Sequence, residues 1–67
     1  MRVPIFKITN DDNPMDYAYP LMTEGRDFAD ANENDPALVS EVLGLRVGSS
    51  VTVGGGAAVQ FTIQRIR

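Results

Sequence analysis

Asp35-Pro36-Ala37-Leu38-Val39-Ser40-Glu41-Val42-Leu43-Gly44 is the stretch on which the fold turns. Asp is a favoured helix N-cap because its carboxylate accepts hydrogen bonds from the free amides of the first turn. Pro is favoured at the first helical position, where its missing N–H costs nothing. Leu38, Val39, Val42 and Leu43 then fall on one face of a helix. Gly44 stands where a left-handed stop belongs. The spacing predicts a helix over Pro36–Leu43.

Downstream, Val51 and Val53 alternate with Ser50 and Thr52, and Val59, Phe61 and Ile63 alternate with Gln60, Thr62 and Gln64. Gly54-Gly55-Gly56 between them supplies the positive backbone angles of a tight reversal, so a C-terminal hairpin is predicted. Upstream, Val3 to Thr9 reads as a strand, with Pro4 marking an edge or a strand start. Asn10-Asp11-Asp12-Asn13-Pro14 is turn chemistry. Tyr17, Tyr19 and Leu21 alternate with polar or small residues, which predicts a short edge strand over Asp16–Met22. Thr23 is placed to cap a helix from Glu24 to Asn32 with Phe28 turned inward, although Gly25 weakens it. The order is α+β: a small domain with a three- to four-stranded, mostly antiparallel sheet, a C-terminal hairpin and one or two short helices.

A chain of 67 residues is one domain at most, spanning 1–67, and a domain this small buries only about 60% of the surface its unfolded chain exposes, so its stability is marginal. With no Cys and no His, disulfides, thiolate zinc sites and the commonest general base are all excluded. At 43% apolar residues the chain has enough for a core, yet no run approaches the length of a membrane helix. The start, Met1 to Lys7, does not read as a signal peptide. The expectation is a cytoplasmic protein with no membrane partner.

Catalysis lacks its parts. Ser40, Ser49 and Ser50 have no His beside them, and Lys7 is the sole lysine for a Ser–Lys pair. Asp11, Asp12 and Asp16 lie in turn-forming segments, where solvated carboxylates keep ordinary acidity. Gly54-Gly55-Gly56 does not match the spacing of a phosphate loop. The expectation is no enzyme and no cofactor. One metal pattern is partly met. Asp30, Asn32, Asn34 and Glu41 fall at the first, third, fifth and twelfth positions of a calcium loop, but Asp35 stands where that loop needs Gly. Calcium is therefore carried as a minor alternative.

Charge is the most informative feature. All nine acidic residues lie between Asp11 and Glu41, against Arg26 alone, so that span carries a net −8. Arg2, Lys7, Arg46, Arg65 and Arg67 lie outside it. If the first and last strands pair, Arg2, Lys7, Arg65 and Arg67 form a small basic patch, without the aromatic platform that nucleic-acid binding uses. Such asymmetry disfavours nucleic acid as a direct ligand and favours a basic protein surface. A solvated acidic face is the plain alternative. Carboxylates spaced along a surface imitate a phosphate backbone, and Met15, Tyr17, Tyr19 and Met22 are residue types enriched at interface centres. The candidate contact set is Asp11, Asp12, Asp16, Tyr17, Tyr19, Glu24, Asp27, Asp30 and Glu33.

Leu43-Gly44-Leu45-Arg46-Val47-Gly48-Ser49-Ser50-Val51-Thr52-Val53, closing on Phe61-Thr62-Ile63-Gln64-Arg65-Ile66, resembles the end of the Gre transcript-cleavage factors. There a short helix precedes a Leu-Gly-x-x-Val-Gly turn and a terminal hairpin in an FKBP-like domain. The long coiled coil with the acidic catalytic tip of that family has no counterpart in this sequence, so the resemblance implies a supersecondary unit and no cleavage activity. In size and acidity the whole chain resembles small phage or mobile-element inhibitors such as anti-CRISPR proteins, which implies a non-enzymatic inhibitor docking on a host nucleic-acid-binding protein. A homodimer or a small structural assembly held by edge-strand pairing is the other expectation.

Overall fold

The computed structural model describes residues 3–67. The element order is β1 (Ile5–Asn10), β2 (Leu21–Glu24), α1 (Gly25–Ala31), α2 (Pro36–Leu43), β3 (Ser50–Gly55) and β4 (Ala58–Arg65). The four strands form one antiparallel sheet in the order β2-β1-β4-β3, so the fold is a small α+β domain. The first and last strands are the two central ones.

Register decides which residues meet the helices. Phe6 pairs with Thr23 and Arg65, Ile8 with Leu21 and Ile63, and Asn10 with Phe61. Val51 and Val53 pair with Ile63 and Phe61. Paired residues share a face, so one face carries Phe6, Ile8, Phe61, Ile63, Val51 and Val53. The core sits there: Phe6, Phe28, Val42 and Ile63 are buried, and Ile8, Leu38, Val39, Leu45, Val51 and Val53 pack around them. Phe28 turns inward as predicted, its ring 6.4 Å from that of Phe6. The opposite face has no helix over it. It carries Lys7, Thr9, Thr52, Thr62 and Gln64, with Ile5, Met22 and Ile66 at one end.

α2 has the predicted bounds, and the Asp35 carboxylate accepts from the Leu38 amide at 3.2 Å. Its end differs from expectation. Gly44 is right-handed (φ −84°), its amide bonding to Ser40, and the positive angles fall instead at Gly48, Gly54, Gly55 and Gly56. The helix therefore ends without a left-handed residue at its cap, and the first positive angle comes later in the turn, at Gly48. α1 is shorter than the predicted Glu24–Asn32, and Thr23 does not cap it: its hydroxyl donates to the Glu24 carbonyl, and Glu24 takes the cap position without a side-chain bond. Gly25 begins α1 for a packing reason. Its amide donates to the Pro4 carbonyl at 3.0 Å, and a Cβ there would press on Leu43 and Pro4 at 3.1 Å.

The largest departure is residues 11–20. The alternation of Tyr17, Tyr19 and Leu21 does not make a strand over Asp16–Met22. Turns occupy that stretch, with a cis Tyr19–Pro20 bond, and the strand starts only at Leu21. Local bonds outcompete the sheet there. Asn10 Oδ1 accepts from the amides of Asp12 and Asn13, and Asp16 Oδ1 accepts from Ala18.

The hairpin forms as predicted, with one irregularity. Gly55 faces Ala58 while Val53 faces Phe61, so Val59 and Gln60 together oppose Gly54. This bulge breaks the alternation and leaves Val59 exposed, outside the face it was expected to share with Phe61 and Ile63. Gly54 (φ 85°) is required by that geometry, because a Cβ would collide with the Val59 carbonyl oxygen; Gly56 (φ 61°) faces open space. Gly54→Ala is thus expected to cost about 2–4 kcal/mol, from a left-handed conformation and a backbone clash together. Gly56→Ala should cost about 1 kcal/mol. Thermal melts of the two variants check the order, and equal losses would contradict the bulge assignment.

Candidate functional site

The acidic residues divide by what holds them. Asp11 Oδ2 accepts from the Thr62 hydroxyl at 2.6 Å and from the Gln60 side chain at 3.2 Å. Asp12 Oδ2 accepts from the Gln60 amide at 2.9 Å. These two carboxylates fasten the end of β1 to the start of β4. Asp16 closes its own turn and Asp35 caps α2. Four of the nine acids therefore have structural partners. Asp11, Asp12 and Asp16, expected as contact charges, are tied to their own chain.

The helical layer is different. Glu24, Asp27, Asp30, Glu33, Asp35 and Glu41 are all exposed, with Arg26 the one basic residue between Glu24 and Gly44, giving that layer a net −5. Asp27 and Asp30 stand one turn apart on α1, turned away from the buried Phe28. Glu33 follows in the turn between the helices. An exposed surface of one sign on this scale attracts a basic partner and speeds its encounter.

The tyrosines also part company. Tyr19 is half-buried, its ring 5.6 Å from that of Phe61, and belongs to the fold. Tyr17 is fully exposed and Met15 85% exposed, in the loop next to it. Met22 lies on the open sheet face, away from α1 and α2.

A cleft opens where the helices run out. Helices of seven and eight residues are about 10–12 Å long, while a strand of eight residues such as β4 runs about 26 Å. The helices cover Phe6 fully and leave the end of the face beyond Ile63 uncovered. Tyr19, Phe28, Leu38, Val53 and Phe61 wall the resulting cleft of about 330 Å³, with Asn32 beside them. That size suits a small ligand or one inserted side chain. Sequence reasoning turned Phe28, Leu38, Val53 and Phe61 inward, and placed Tyr19 in the contact set and Asn32 in the calcium pattern. The signal available was the mismatch between short helices and a long final strand.

The calcium pattern does not assemble. Asp30 is exposed in the last turn of α1, the Asn32 side chain donates to the Phe28 carbonyl at 2.9 Å, and Glu41 is the sixth residue of α2. Among the described residues no three acidic side chains gather to hold a metal. The basic patch is likewise incomplete. β1 and β4 pair, but the Arg65 guanidinium donates to the Leu45 and Arg67 carbonyls, and Arg2 lies outside the described residues. No described helix is long and apolar enough to cross a membrane. Compared with known proteins, the chain matches no family model, no curated protein and no solved structure.

The division of the acids is measurable as stability. Asp30→Lys, Glu33→Lys and Glu41→Lys should each change unfolding free energy by less than about 0.5 kcal/mol. Asp35→Ala should cost about 1 kcal/mol through the lost cap, and Asp11→Ala about 0.5–1.5 kcal/mol through its hydrogen bonds. Urea titration of the five variants checks this; losses of similar size in both sets would erase the distinction.

Proposed function

We propose that this protein is a non-enzymatic binding protein, a cytoplasmic inhibitor of the phage or mobile-element type. Its acidic helical layer docks on the basic, nucleic-acid-binding surface of a host protein, as the resemblance in size and charge to anti-CRISPR proteins implies. One observation carries the reading: Glu24, Asp27, Asp30, Glu33 and Glu41 are exposed and hold no side-chain hydrogen bond among the described residues, although carboxylates elsewhere in this small chain do. Unshared carboxylates along one surface offer a groove of Lys and Arg what a phosphate backbone offers it. The contact set is accordingly centred on Glu24, Asp27, Asp30, Glu33 and Glu41, with Tyr17 as the free aromatic, and no longer on Asp11, Asp12 and Asp16. No cofactor and no cleavage-factor chemistry enter this reading.

A second reading, self-assembly, is favoured by β3. It is an edge strand, and Ser50–Gly55 contains no charge and no proline to discourage pairing with another copy. The other edge, β2, has four residues and ends on Glu24.

Immobilised protein should retain a nucleic-acid-binding protein from bacterial lysate, release it at high salt, and lose it to competing DNA. The combined variant Asp27→Lys, Asp30→Lys and Glu33→Lys should weaken that capture by about tenfold or more, equivalent to 1.4 kcal/mol. Unchanged capture by a folded triple variant would overturn the acidic-face reading. A mass that rises with concentration, with nothing but the protein itself retained, would put self-assembly in its place.

A further inference from the structure

The cleft at the uncovered end of the sheet names the kind of segment a partner would insert, an inference that rests on the reading above. Its aromatic wall is preformed, because Tyr19 and Phe61 already pack together at 5.6 Å. Phe28, Leu38 and Val53 complete an apolar lining. The Asn32 side-chain nitrogen is engaged by the Phe28 carbonyl, which leaves the amide oxygen as its available acceptor.

The surroundings are acidic. The Asp35 carboxylate is bonded to the Leu38 amide on the helical side, and Asp30 and Glu33 flank Asn32 in the chain. On the sheet side, the Asp12 carboxylate is bonded to the amide of Gln60, the residue before Phe61. A neutral apolar ligand gains nothing from such a rim. An anionic amphiphile is repelled by it. A bulky apolar side chain flanked by cations satisfies both features, with the anchor desolvated in the cleft and the cations over the carboxylates. We infer that the cleft receives one aromatic or long aliphatic side chain from a basic segment of the partner protein, with Lys or Arg on either side of that anchor.

The chain contains no Trp, so tryptophan emission reports a peptide alone. The probe is a short lysine-rich peptide with one central tryptophan, beside two counterparts: one with alanine for the tryptophan, and one with glutamate for the lysines. The tryptophan peptide should bind saturably with a blue-shifted emission, and its affinity should fall with salt. Amide shifts in the protein should centre on Tyr19, Leu38 and Phe61. The alanine counterpart should compete at least about tenfold less well, and the glutamate counterpart should not bind. Asn32→Phe, which puts a ring at the cleft, should block the tryptophan peptide; the shift map of the unaltered protein stands as evidence if that variant does not fold.

Equal binding of the tryptophan and alanine peptides, weakened by salt, would overturn the cleft inference and leave the acidic-face reading standing. Binding of neither would overturn both. Tryptophan-peptide binding indifferent to salt and to charge reversal at Asp30 and Glu33, or matched by the glutamate peptide, would assign the cleft to an apolar ligand and overturn the basic partner. Cleft shifts that track self-association would assign it to a second copy, which also overturns the inference.

Discussion

The antiparallel pairing of Ile5–Asn10 with Ala58–Arg65 holds the rest of the molecule in place. It joins the two ends of the described chain at the centre of the sheet. Phe6 and Ile63, two of the four buried apolar residues, come from these strands. At one end the Ile5 amide donates to the Arg67 carbonyl, and the Ile66 amide donates to the Ile5 carbonyl. At the other, Asp12 grips the Gln60 amide across 48 residues of sequence. That closure is the costly one, but loop-closure entropy grows only slowly with length. Once it is made, β2 joins β1 and β3 joins β4 through neighbours on the sheet, and both helices are held between fixed points.

A chain this small cannot cover everything it gathers. Four strands supply an apolar face longer than two helices of two turns can shield. The helices bury Phe6 and Val42, Phe28 and Ile63 lie between that core and the cleft, and Tyr19 leans over Phe61 without sealing it. Apolar surface left in water forfeits about 25 cal/mol per Å², a real loss for a domain with so small a core. The same shortfall of helix makes both the marginal core and the cleft.

Electrostatics follows the same division between what builds the fold and what is left over. Asp11, Asp12, Asp16 and Asp35 meet backbone amides or hydroxyls and replace hydrogen bonds that loops and helix ends would otherwise lack. Asp30 and Glu33 hold no such bonds among the described residues, and Asp27 meets only the first turn of α1. Exposed carboxylates left over in this way suit a partner that supplies the opposite charge, and that is the physical basis for the proposal that the helical layer is a docking face.

Elements whose signals are local were legible in the chain. Asp35-Pro36 fixed the start of α2 through a cap and a preset backbone angle, Gly54-Gly55-Gly56 fixed the reversal, and alternation at Val51, Val53, Phe61 and Ile63 fixed a half-buried hairpin. The confinement of all acids to Asp11–Glu41 was also plain in the chain. Tertiary structure decided what depends on distant partners. The alternation at Tyr17 and Tyr19 lost to Asx turns and to packing on Phe61, a residue far along the chain. The bulge opposite Gly54 moved Val59 off the core face. Which carboxylates were free depended on where Gln60 and Thr62 came to lie beside β1, and the cleft depended on helix length measured against strand length. Periodicity reports which side of an element is apolar, and only the packed fold reports how much of that side another element reaches.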